Sequence, residues 1–137
     1  MSPVLTRGKE KMYKVIQLQG EDGEMLDVPF LANAATPFRF KSLFGQDLIV
    51  LFQMCDKNGV YDIDFVSQLA FIMAMQAEAK AGRVDLSTIN KESLLSWLEK
   101  LDGFSIYSKA AEILDVYLGN TGVTSTEKKK ARKPSAK

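Results

Sequence analysis

Between Met12 and Phe30 the apolar positions form two short stretches that alternate imperfectly, Met12-Tyr13-Lys14-Val15-Ile16-Gln17-Leu18 and Met25-Leu26-Asp27-Val28-Pro29-Phe30, separated by Glu21-Asp22-Gly23. β-Branched and aromatic residues flanking turn formers predict a β-hairpin over 12–30. Pro29 has no N–H to give a ladder and marks an edge or a strand end. A two-stranded hairpin is marginal alone in water, so it must lie against helices or pair with another subunit.

Beyond Ala35 the period changes to that of helices. Thr36-Pro37 reads as a helix start, with threonine as the cap and proline at the first helical position. Phe38, Phe40, Leu43 and Phe44 supply its apolar side, Arg39 and Lys41 point away, and Gly45 stops it. A second helix is predicted over 46–55, burying Leu48, Ile49, Leu51 and Phe52, before the turn Asp56-Lys57-Asn58-Gly59. The strongest helical signal runs from Asp62 to about Ala81. Ile63, Val66, Leu69, Ala70, Met73 and Ala77 recur at helical spacing, and Phe65, Ile72 and Met75 widen the stripe until it covers most of the circumference. Such a helix is either enclosed by its own domain or shared with a partner, and enclosure is favoured. Gly82 ends it. A tryptophan helix over 91–101 follows, with Leu94, Leu95, Trp97, Leu98 and Leu101 apolar. Asp102-Gly103 breaks that helix, Phe104, Ile106 and Tyr107 return to the core, and a last helix over about 108–118 packs Ala111, Ile113, Leu114 and Tyr117.

The expected fold is therefore mainly α: a compact bundle of about five helices with a short N-terminal β-hairpin. Residues 1–11 read as a flexible leader, 12–120 as a single helical domain, and 121–137 as a disordered Lys-rich tail. At 137 residues one domain can bury a core of its own, and 46% hydrophobic with 26% charged residues is an ordinary globular mixture. The net charge of +1 conceals an asymmetry. Residues 121–137 hold six Lys or Arg against one Glu, while residues 1–120 hold twelve against sixteen Asp or Glu, so the body is mildly acidic and the tail carries the positive charge. A nucleic-acid reader places its basic residues on a folded face, which argues against nucleic acid as the partner. No apolar run approaches the roughly 20 residues that cross a bilayer.

Several chemistries are excluded by residue count. The chain has no histidine and one cysteine, Cys55, which removes Ser-His-Asp, Cys-His and zinc sites as well as any intramolecular disulfide. The apolar neighbours of Cys55 make it a small buried hydrophobe, and reduced cysteine fits a cytoplasmic setting. Asp56 begins a stretch like a calcium loop, but Tyr61 stands where glycine is required and Ser67 where the bidentate glutamate is required. Asp62 and Asp64 read as helix-capping groups. With no phosphate-cradling glycine loop either, the chain is read as a non-enzyme that needs no metal or cofactor, acting through binding surfaces. The candidate partner-binding residues are Phe38, Phe40, Phe44, Met73, Met75, Trp97 and Tyr107: aromatic anchors plus two adaptable methionines.

Two stretches carry a resemblance, Ala35-Thr36-Pro37-Phe38-Arg39-Phe40-Lys41-Ser42-Leu43-Phe44-Gly45-Gln46-Asp47-Leu48 and Trp97-Leu98-Glu99-Lys100-Leu101-Asp102-Gly103-Phe104-Ser105-Ile106-Tyr107. In this order, followed by the Glu112-Ile113 helix and the lysine-rich end, the chain resembles tail assembly chaperones of long-tailed (siphovirus-type) phages of Gram-positive bacteria. The resemblance implies a small helical protein in the host cytoplasm that binds the tape measure protein, keeps its long apolar helices soluble until the tail tube polymerises, and is absent from the mature virion. It also implies self-association around the client and, for some members, a longer form made by ribosomal frameshifting near Lys128-Lys129-Lys130. The other readings of the chain are a structural tail component retained in the virion and a nucleic-acid-binding accessory protein acting through the basic tail.

Overall fold

Asp22 and Gly23 make the hairpin turn: the Glu24 N–H donates to Asp22 Oδ1 at 3.0 Å, and Gly23 sits at φ 91°, a left-handed conformation that costs glycine little. The computed structural model describes residues 12–119, and in it the turn joins β1 (Tyr13–Gln19) to β2 (Met25–Leu31) in antiparallel register, Tyr13 opposite Leu31 and Gln19 opposite Met25. Alternation then divides the ribbon. Ile16, Leu18 and Phe30 are buried on one face, while Tyr13, Val15, Gln17 and Met25 lie on the other, open to solvent.

The helices are α1 (Thr36–Phe44), α2 (Leu48–Asn58), α3 (Ile63–Lys80), α4 (Lys91–Leu98), the single turn α5 (Ser105–Ser108) and α6, residues 110–119, with a 3₁₀ turn at Leu86–Thr88. The architecture is mainly helical with the N-terminal hairpin. The central element is α3. From Phe65 to Ala77 only Ser67, Gln68 and Met75 keep appreciable surface, because β2, α1, α4 and α5 pack around it. Helix α3 is therefore enclosed by its own domain. Aromatic rings link the helices on one side. Phe40 of α1 lies 6.0 Å from Phe65 of α3, Phe65 lies 5.0 Å edge-on from Phe52 of α2, and Phe52 stacks on Tyr117 of α6 at 5.6 Å. On another side Phe71 meets Trp97 of α4 at 5.8 Å.

Two polar latches fix the hairpin on this core. The first is Gln76, 3% exposed on α3. Its Nε2 donates to the Leu31 carbonyl at 2.8 Å and to Thr36 Oγ1 at 2.9 Å, and its Oε1 accepts from Arg39 Nε at 3.0 Å. One amide thus ties the end of β2, the start of α1 and the first turns of that helix to the centre of α3. The second latch holds the opposite end of the hairpin. The Gln19 carbonyl accepts from the Asp102 N–H at 2.9 Å and from the Ser105 hydroxyl, and the Glu21 N–H donates to the Lys100 carbonyl at 3.0 Å.

The structure departs from the sequence expectations in several places. Thr36 is not the cap: it is the first residue of α1 and fully buried, with its hydroxyl accepting from the Asn33 N–H and from Gln76. Arg39 turns back to Gln76 instead of pointing away. Helix α2 starts at Leu48 under an Asp47 cap and absorbs Asp56, Lys57 and Asn58 before Gly59 stops it. Helix α4 ends at Leu98, and Leu101 bridges to Gly20. Ile49, Leu95, Phe104 and Tyr107 face solvent rather than the core. At Thr36, Arg39 and Leu101 a contact distant in sequence, with Gln76 or Gly20, decides the outcome, whereas the start of α2 is decided locally by the Asp47 cap. The leader 1–11 and the tail 121–137 lie outside the described residues.

Replacing Gln76 tests the first latch. Gln76→Ala takes the donor from the half-buried Leu31 carbonyl and one of the two donors from the Thr36 hydroxyl, and is expected to cost about 1–3 kcal/mol in urea denaturation. Gln76→Glu does no better, since an acceptor-only carboxylate then faces the Leu31 carbonyl.

Candidate interaction surface

Helix α2 is apolar on two sides, yet among the described residues only one side has a neighbour. Asp47 Oδ1 accepts from the N–H groups of Ile49 and Val50 at 2.9 and 3.3 Å, which starts the helix. Leu48 and Cys55 then point inward and are buried, with Leu51 and Phe52 half-buried beside them. The outward stripe is Ile49, Val50 and Met54, exposed at 47%, 46% and 51%. A helix surface of this composition invites cover by another apolar surface.

The stripe runs through Met54 into a cleft of about 510 Å³ between α2, the α2–α3 turn and the start of α3. Leu51, Cys55 and Phe65 contribute its apolar lining, Met54, Val60 and Tyr61 its exposed apolar edge, and Gln46, Asn58, Asp62, Asp64 and Gln68 its polar groups. Asp62 caps α3 by accepting from the Asp64 N–H, so its carboxylate is already engaged in the backbone. The Tyr61 phenol is held above its ordinary pKa, chiefly by burial, with electrostatic repulsion from its neighbours, Asp56 first, adding to the effect. Burial alone does the same to Tyr117, the residue stacked on Phe52. Among the described residues no group of three or more Asp, Glu or Cys side chains could hold a metal ion, and no helix is long and apolar enough to cross a membrane. The arrangement offers an apolar docking surface with a mildly acidic flank.

The residues singled out from sequence are spread over the molecule. Phe40 and Met73 are fully buried and have no surface to offer a partner in this fold, which removes them from the candidate set. Phe44, Met75 and Trp97 are partly buried and pack against the core. Phe38, 79% exposed, and Tyr107, 66% exposed, do face solvent. Tyr107 is paired with Phe104, their ring centroids 5.8 Å apart, as a second apolar patch on the α4–α6 side. The α2 stripe went unrecognised in the sequence because Ile49 and Val50 lie in an unbroken apolar run, Leu48 to Phe52, where every residue looks equally suited to the core. The Asp47 cap was the available signal. Counting the turn from it groups Leu48, Leu51, Phe52 and Cys55 against Ile49, Val50 and Met54, and packing alone decides which group faces inward.

Alkaline titration followed by phenolate absorbance is expected to show Tyr61 and Tyr117 ionising above pH 10.0, the ordinary phenol value. Because the folded state prefers the neutral phenol, the associated stability is complete below that pH and is lost as the pH rises past it. Tyr61→Phe is expected to flatten the alkaline fall in stability. No protein-family model matches the chain, and neither a curated protein nor a solved structure matches it.

Proposed function

We propose that the protein is a holding chaperone of phage tail assembly, binding the tape measure protein in the host cytoplasm and keeping it soluble until the tail tube polymerises. The observation that carries the reading is the solvent-facing apolar stripe of α2, Ile49, Val50 and Met54, continuous with the Tyr61 cleft on a domain whose core is already complete without it. A client of long apolar helices needs cover that is extensive and made of replaceable contacts, and a stripe of aliphatic side chains and methionine provides that without a unique geometry. The ordered resemblance across Ala35–Leu48 and Trp97–Tyr107 supplies the identity of the client. Phe38 and the Phe104–Tyr107 pair extend the surface on which such a client can lie.

Co-expression tests the reading. The chain is expected to hold the tape measure protein in the soluble fraction and to elute with it on gel filtration. The pair Ile49→Glu and Met54→Glu should reduce that affinity at least about tenfold, while unfolding shifts by no more than about 0.5 kcal/mol because neither side chain is buried. A client that stays insoluble, or a complex indifferent to these substitutions, defeats the reading.

A further inference from the structure

The two edges of the hairpin are not equivalent. The Ala32 N–H donates to the Met12 carbonyl and the Gly20 N–H to the Glu24 carbonyl, so the even-numbered residues of β1 bond to β2 and the odd-numbered ones direct their backbone groups away from it. On β2 the outward edge is already blunted, since Pro29 has no N–H and the Leu31 carbonyl is taken by Gln76. On β1 the outward carbonyl of Gln19 is taken by Asp102 and Ser105. Tyr13, Val15 and Gln17 remain, three consecutive outward positions whose N–H and C=O groups have no partner among the described residues. Their side chains lie on the solvent face, with Tyr13 44% and Val15 48% exposed. An open strand edge of this kind is a template for another strand.

We propose that this edge pairs with the same edge of a second copy of the chain, antiparallel about a two-fold axis at Val15, joining two hairpins into one four-stranded sheet. The occupant follows from charge and register. Outward residues must oppose outward residues, which leaves a small set of antiparallel registers. Centring the axis on Lys14 sets two lysines directly opposite each other, a repulsive arrangement. Centring it on Ile16 sets Tyr13 against Gln19, whose carbonyl is already occupied. With Val15 at the axis, Tyr13 opposes Gln17 of the second copy, Val15 opposes Val15, and Lys14 opposes Ile16. No like charges face each other, and each of the three outward pairs closes with two main-chain hydrogen bonds. Lys14 meets this register with its ammonium 3.8 Å from the Glu112 carboxylate of its own chain. The contact is isologous, as a closed dimer requires, and it covers the open β1 edge of each copy, leaving only the blunted β2 edges at the ends of the sheet. It uses β1 alone, leaves the α2 stripe free, and does not depend on the function proposed above.

The test is the mass of the full-length chain by gel filtration with light scattering. The wild type is expected at twice the monomer mass. Val15→Pro removes an outward donor that the hairpin itself does not use, and Val15→Lys places like charges at the axis. Both are expected to run as monomers, with the helical circular dichroism of Val15→Lys unchanged. Val15→Glu alone is also expected to be monomeric, and mixing it with Val15→Lys should restore the doubled mass. A wild-type chain that stays monomeric at the highest concentration reached overturns the proposal. So does a dimer that survives Val15→Lys, which would place the contact on another surface, or a Lys and Glu mixture that fails to recover it.

Discussion

A glutamine on the buried face of an apolar helix must find partners for both ends of its amide, and in this protein those partners come from the end of β2 and the first turn of α1. Gln76 lies on the face of α3 that meets β2 and α1, only 3% exposed, and water cannot satisfy it there. The Leu31 carbonyl, the Thr36 hydroxyl and the Arg39 guanidinium meet it at 2.8 to 3.0 Å. Hydrophobic burial accounts for a helix as apolar as α3 being central, but burial is non-directional and would accept the hairpin in many positions. The amide accepts one. Its geometry converts a general preference for collapse into a particular arrangement of β2, α1 and α3, and the aromatic contacts from Phe40 through Phe65 and Phe52 to Tyr117 then pack in relation to that frame.

With the core closed in this way, the apolar residues left outside acquire meaning. Scattered exposed leucines or valines are normal on a soluble protein. An apolar stripe on a helix whose other side already fills the core is a different observation, because α2 needs only Leu48, Leu51, Phe52 and Cys55 to be held in place. Ile49, Val50 and Met54 contribute little to folding and offer surface to a partner. The hairpin shows the same division on its backbone. Its β2 edge is blunted by Pro29 and Gln76 and its turn end is latched by Asp102 and Ser105, while the middle of β1 is left open. Surfaces built from side-chain contacts and from main-chain contacts therefore lie on separate elements, and one can be occupied without obstructing the other.

Much of the local structure was legible in advance. Asp22-Gly23 between two β-rich stretches specifies a hairpin because few residues accept its turn geometry, and the wide apolar stripe from Phe65 to Ala77 specifies a long helix covered on most of its circumference. Gly45 and Gly59 both end helices at positive φ, as glycine after a helical run should. The candidate surface was less legible. Of the residues selected from sequence, Phe38 and Tyr107 are exposed, whereas Phe40 and Met73 belong to the core, because an aromatic ring or a methionine is equally good material for an anchor and for packing.

The amino-acid sequence alone determined which segments are strands and helices, where most of them stop, and which chemistries lack their residues, since these depend on backbone preference, periodicity and residue identity. Only the tertiary structure decided that Thr36 and Gln76 share a hydrogen bond, that Ile49 faces water while Leu48 does not, and that Tyr13, Val15 and Gln17 keep an open edge. Those outcomes depend on which element arrives beside a residue from 40 positions away, as with Thr36 and Gln76, and no local pattern encodes that arrival.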